Sequence, residues 1–175
     1  MNQINRKLLA ACLVASLSLA CGLPLGAILT TERVASCMHP GMHGTTFGGG
    51  PLTCRVALEY LAILEDENLL ERVQRVGGYF SQKLRELVDK FDIAVEVRGV
   101  GAIQALQLNI PGKPILEGAL ANGLLINVTQ DNVLRFLTPF LLEEKHVDSG
   151  IRILRKELAA AQKQAKAEKR AMATA

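Results

Sequence analysis

The feature that most constrains the fold is a change of hydrophobic period between residues 68 and 108. Leu69, Val73, Val76, Phe80, Leu84, Leu87 and Phe91 recur at steps of three and four. A helix over roughly 68–91 would therefore carry one apolar stripe, with Arg72, Arg75, Lys83 and Asp89 left in water. The period then drops to two: Ile93, Val95 and Val97 alternate with Ala94 and Glu96, Gly99 and Gly101 bracket a turn, and residues 103–108 supply a second strand. An amphipathic helix running straight into paired strands buries its stripe against a sheet, which implies an α/β or α+β domain. The composition agrees. The chain is 49% hydrophobic but only 4% aromatic, without tryptophan, so Leu, Val, Ile and Ala must fill the core.

The same reading extends in both directions. A short helix is expected near 114–122, ending at Gly123, then strands at 124–128 and 133–137. A last helix from about Glu143 carries Val147, Ile151, Leu154 and Leu158 on one face. Beyond Leu158 the stripe stops, and the charged tail over 161–175 is expected to fray. Upstream, residues 22–29 form a short apolar run bounded by Gly and Pro, as a buried strand of a parallel sheet would be. Residues 30–50 read as loop, and a helix begins near Pro51, whose fixed φ suits the first helical position. The expected organisation is the end of a large α/β domain over 22–77 joined to a small α+β domain with antiparallel strands over 78–160.

Residues 1–21 differ from the rest. Arg6 and Lys7 precede the run LLAACLVASLSLA, which has the charged start and apolar stretch of a secretory signal and is too short to span a bilayer as a helix. Ser18-Leu19-Ala20-Cys21 makes a loose lipoprotein cleavage site. A wrong start or a frame error that joined an unrelated leader to a cytoplasmic protein accounts for the same residues. Export and a membrane anchor follow only from the first reading. The four cysteines, Cys12, Cys21, Cys37 and Cys54, form no C-x-x-C pair, which suits free thiols in a reducing compartment. The net charge is +3, and no basic stripe is interleaved with stacking aromatics, which argues against a nucleic-acid partner.

Two segments carry chemistry. In HGTTFGGGPL, residues 43–52, the hydroxyls of Thr45 and Thr46 precede three glycines and a helix N-terminus, so backbone N–H groups and a threonine can meet a phosphate. A glycine-rich turn that merely opens a helix has the same composition. In the strand at 133–137, Arg135 shares a face with Val133 and Leu137, opposite Leu134 and Phe136. A guanidinium held on an apolar strand suits a carboxylate, which it grips with two parallel hydrogen bonds. A structural ion pair or an edge arginine reaching solvent is the other reading. Cys37, His39 and His43 lack a fourth ligand at a recognisable spacing, so no zinc site is expected. No G-x-S-x-G is present, and His146 lies at a charged helix start, so no nucleophilic site is expected either.

The stretches GLPLGA, HGTTFGGGPL, VRGVGAIQALQL and GLLINVTQDNVLRFLTP occur in this order. Together, over about 21–158, they resemble the class III pyridoxal-phosphate-dependent aminotransferases, most of all those of the acetylornithine type. The resemblance implies the end of the large domain and the C-terminal small domain of a fold type I enzyme, truncated, and a homodimer with pyridoxal 5'-phosphate at the subunit interface. It implies transfer of an amino group from N-acetylornithine, or a related ω-amino donor, to 2-oxoglutarate in arginine biosynthesis. Thr45 and Thr46 would bind the cofactor, with Thr46 on the phosphate of the neighbouring subunit's cofactor, and Arg135 would bind the substrate carboxylate. The family's acidic partner of the pyridine nitrogen, its ring-stacking aromatic and its main phosphate loop are expected upstream of these stretches. One departure matters. The family pattern L-A-K-P-L-A-C-G, aligned on Ala20-Cys21-Gly22, places Leu17 where the Schiff-base lysine stands. Leucine can neither bond the cofactor nor move the proton between the substrate α-carbon and the cofactor C4′, so no catalytic residue is assigned and the chain as written is expected to be inactive. An exported lipoprotein or an inactive binding module on the same fold is the alternative.

Overall fold

The computed structural model describes residues 13–15, 25, 27–42, 44 and 49–173. The chain divides into two compact units, residues 1–67 and 68–175. The division precedes the Gly77 boundary read from the sequence, and Gly77 lies inside a continuous helix.

In the first unit, β1 (Leu13–Ala15) pairs antiparallel with β2 (Ala27–Leu29). This corrects the expectation of a parallel-sheet strand: the strand is three residues long and its hydrogen-bonded neighbour runs the other way. A four-residue helix, α1 (Glu32–Ala35), interrupts the expected loop. Helix α2 (Pro51–Asp66) starts where the proline indicated, with Gly50 as its N-cap residue.

The second unit follows the change of period closely. Helix α3 (Leu69–Lys90) buries Leu69, Val76, Gly77, Phe80, Leu84 and Leu87. After it come β3 (Ala94–Val100), β4 (Ile103–Leu108), α4 (Lys113–Ala121), β5 (Asn127–Thr129), β6 (Val133–Leu137) and α5 (Glu144–Ala173). The strands form one antiparallel sheet in the order β3-β4-β6-β5. One sheet face presents Leu106, Leu134 and Phe136 to the stripes of α3 and α5, and the Phe80 and Phe136 rings meet edge-on at 5.2 Å. The fully buried leucines 84, 87, 106, 108, 134, 154 and 158 mark the centre of this core. Each such side chain contributes roughly 1.5–3 kcal/mol relative to exposure.

Helix α5 corrects the expectation of a frayed tail. It continues to Ala173: Ala161 still packs against the core, and the Lys166 ammonium sits 2.8 Å from the carboxylate of Asp92, just beyond the end of α3. That ammonium holds the Asp92 carboxyl below its usual range, first through the hydrogen bond and then through its charge. Among the described residues, no helix is long and apolar enough to cross a membrane.

Candidate functional site

The alternation of β6 fixes where Arg135 points. Leu134 and Phe136, 0% and 5% exposed, face the helices, so residue 135 lies on the other face of the sheet. Cross-strand register then decides its neighbours: Arg135 is paired with Ala105 on β4 and Asn127 on β5, and Ala105 with Arg98 on β3. Directly opposed residues share a face, so one row crosses the sheet as Arg98, Ala105, Arg135 and Asn127. The next row along that face is Val100, Ile103 and Leu137, which are 86%, 58% and 61% exposed. The face thus carries two guanidiniums beside an uncovered apolar strip. Arg98 has a carboxylate nearby, its Nε 3.8 Å from Glu96. Among the described residues, the buried Nε of Arg135 has no hydrogen-bond partner. A buried donor left unpaired costs about 1–3 kcal/mol, and more on a charged group, so an acceptor beyond the described residues would stabilise this one.

The hairpin supporting this row is clamped to α3 by glycines. Gly77 on α3 packs directly on the backbone of Gly101, which has φ +56°, in the β3–β4 turn. The Gln104 side chain, 2% exposed, reinforces the contact by donating to Gly101 O at 3.1 Å and Gly77 O at 3.4 Å. Tyr79, also on α3, donates to Asp148 on α5 at 2.6 Å, and that hydrogen bond is the main reason its phenol is pushed up to about 12. Where α5 begins, Glu143 accepts from Lys145 at 2.6 Å and is held below the usual carboxylate range by it. These contacts order the helix layer behind the site rather than the site itself. A cavity of about 90 Å³ among Phe80, Leu124, Phe136, Leu142, His146 and Leu154 is mainly apolar in lining and does not include Arg135.

Thr45, Thr46 and Leu17 lie outside the described residues. Nearby, Gly49 has φ +75°, Pro51 opens α2, and among the described residues no side chain caps the helix. Thr53 instead donates its hydroxyl to Gly50 O at 2.8 Å. The N–H groups of that first turn thus have no side-chain cap among the described residues, as a helix start that meets an anion would. Among the described residues, no group of three or more His, Cys, Asp or Glu side chains is placed to hold a metal ion. Sequence reasoning singled out Arg135 but missed Arg98 and Asn127 as its row-mates. The alternation in β3 already placed Arg98 on a fixed face, but only strand order and register put it in the row of Arg135, across Ala105.

The model of the aminotransferase class-III family matches residues 10–158. The chain belongs to the class III aminotransferases. The match takes in residues 10–21 of the segment that looks foreign by composition. Among curated relatives, the acetylornithine aminotransferase of Methanocaldococcus jannaschii is 41% identical over 133 residues, covering 76% of this chain and 33% of the relative. That of Aquifex aeolicus is 44% identical over 137 residues, 78% of this chain and 35% of the relative. The chain therefore spans about a third of the length of the curated relatives it matches. Among solved structures, the ornithine aminotransferase of Toxoplasma gondii aligns with a TM-score of 0.75 at 32% identity, over 84% of this chain and 36% of that one. The acetylornithine aminotransferase of Elizabethkingia anophelis aligns at 0.70 and 31%, over 77% and 37%. A second Toxoplasma gondii structure has pyridoxal phosphate at partial occupancy in the active site.

The residues of this class III chain fit that cofactor only in part. The start of α2 suits a phosphate, whereas covalent attachment needs an amine, and position 17, where the family pattern is expected to carry it, is leucine. No catalytic step through the cofactor follows from this chain.

Proposed function

We propose that this chain is the C-terminal part of an aminotransferase that exchanges an amino group between N-acetylornithine, or a related ω-amino donor, and 2-oxoglutarate, working as a cytoplasmic homodimer with pyridoxal 5'-phosphate. The observation that carries the reading is Arg135, a guanidinium on a strand between two others whose buried Nε has no acceptor among the described residues. A carboxylate common to amino donor and 2-oxo acid would complete it, and the planar fork would fix the reacting end of either substrate. Thr45 and Thr46 are proposed to hold the cofactor phosphate together with the start of α2. The cofactor supplies the electron sink, and the protein supplies binding, orientation and the amine. With leucine at position 17 the last of these is absent, so the chain as written is proposed to be inactive.

The test is a chimera in which residues 22–175 replace the matching C-terminal third of the Aquifex aeolicus acetylornithine aminotransferase, which then supplies the upstream two thirds. Turnover of N-acetylornithine with 2-oxoglutarate is expected. A folded chimera that takes up pyridoxal phosphate yet turns over none of N-acetylornithine, ornithine or 4-aminobutyrate would refute the proposal.

A further inference from the structure

We infer that Asn127 is a second positioning residue for the carboxylate of the 2-oxo acid, its side-chain amide donating to an oxygen that the Arg135 fork leaves open. The inference rests on Arg135 as the carboxylate site and adds the group that fixes how the carboxylate is turned. Register supplies the placement. Arg135 has two directly opposed neighbours, Ala105 on β4 and Asn127 on β5. Opposed side chains share a face with their Cβ atoms roughly 4.5–5.5 Å apart, whereas diagonal ones stand about 7–8 Å away. Ala105 offers only a methyl group, so of these two flanks Asn127 alone can hydrogen-bond. Asn127 begins β5, the edge strand of the sheet, and is exposed, while Arg135 is half-buried. The amide does not close onto the Arg135 Nε, which has no partner among the described residues.

The chemistry of a carboxylate matches this pair. Its two oxygens present about four lone-pair positions, and a guanidinium fork takes two of them. A donor directly beside the fork takes a third and holds the carboxylate plane in one orientation. The residue type suits the task. An aspartate in that place would pair with Arg135 and repel a second carboxylate, whereas an amide adds a hydrogen bond without neutralising the guanidinium. On the other flank, the Ala105 methyl and the exposed Ile103 on the same face of β4 suit the carbon chain. The carboxylate is thereby drawn toward β5 and the rest of the molecule toward β4.

The full 175-residue chain tests binding without turnover. By heteronuclear NMR, the Nε–H signal of Arg135 is followed as 2-oxoglutarate is added. The dissociation constant is expected to rise about tenfold in Asn127→Ala, as loss of one hydrogen bond to a charged group implies, and further in Asn127→Asp. In the chimera, the control acceptor is succinic semialdehyde, which is 2-oxoglutarate without the carboxylate beside the carbonyl. Asn127→Ala should lower the ratio of kcat/KM for 2-oxoglutarate over that for succinic semialdehyde about tenfold. A merely structural loss would lower both alike and leave the ratio where it was. The inference is overturned if Arg135 takes up 2-oxoglutarate with the same constant in the parent and in Asn127→Ala, or if the ratio does not move. No response of Arg135 to 2-oxoglutarate in the parent chain would instead refute Arg135 as the carboxylate site, and Asn127 with it.

Discussion

Two adjacent glycines on α3 give a direct measure of how firmly the helix is clamped to the strands that carry the candidate site. A Cβ added at Gly77 would run into the carbonyl group of Gly101, 2.7 Å from its carbon and 2.8 Å from the Gly101 Cα. One added at the exposed neighbour Gly78 would meet nothing within 4 Å. Both positions lie in the middle of one helix, so Gly→Ala brings each the same propensity gain of about 1 kcal/mol. At Gly78 that gain is all there is, and Gly78→Ala should stabilise by about 0.5–1 kcal/mol. At Gly77 the obstacle is backbone, which cannot rotate away as a side chain would. Overpacking of this kind costs up to about 3 kcal/mol, leaving a net loss near 2 kcal/mol. The difference between the variants isolates the close approach, because propensity cancels. At roughly 4 °C per kcal/mol for a unit of this size, the two melting temperatures should differ by on the order of 10 °C. Thermal unfolding followed by circular dichroism at 222 nm reads both. Equal stability of Gly77→Ala and Gly78→Ala would show that α3 does not rest on the Gly101 turn, and the described packing behind the Arg135 row would be wrong.

Three further outcomes are expected. In the chimera, Arg135→Lys keeps the charge but loses the fork, and should cost about 1.5–3 kcal/mol, roughly one to two decades in kcat/KM, with cofactor affinity nearly unchanged; near-normal kcat/KM with reduced stability would make the arginine structural. The isolated chain mixed with pyridoxal phosphate and borohydride should show no stoichiometric modification at a single lysine by peptide mass mapping, because leucine stands at position 17, where the family's lysine is expected; one fully labelled lysine would contradict this. Tyr79, held protonated by Asp148, should ionise near pH 12 in ultraviolet titration, and Asp148→Asn should move it back toward 10. Since the folded value is the raised one, the contribution of this contact to stability is fully present below pH 10 and is lost as pH rises toward 12. A tyrosine titration unchanged by the substitution would rule out the contact in solution.

By itself the sequence determined the elements of the second unit and their buried faces. The helix expected over 68–91 is found at Leu69–Lys90, and the strands at 103–108 and 133–137 have the bounds expected of them. Hydrophobic period is a local property, set by which side chains of one segment share a face, and it survives whatever the segment packs against. The motifs also carried the family, because several short stretches in fixed order are more specific than any one of them. Tertiary structure decided what depends on contacts between distant residues. Helix α5 persists past its apolar stripe because Asp92, far away in sequence, receives Lys166. Residues 124–128 read as a strand, yet pairing begins only at Asn127, opposite Arg135, since a strand extends only as far as its partner offers hydrogen bonds. The alternation of β6 put Arg135 on one face, but only the β3-β4-β6-β5 order set Asn127 beside it and Arg98 one strand further along the same row, and left its Nε without an acceptor among the described residues. Strand order and register arise from long-range pairing, and no periodicity within a strand encodes its neighbour.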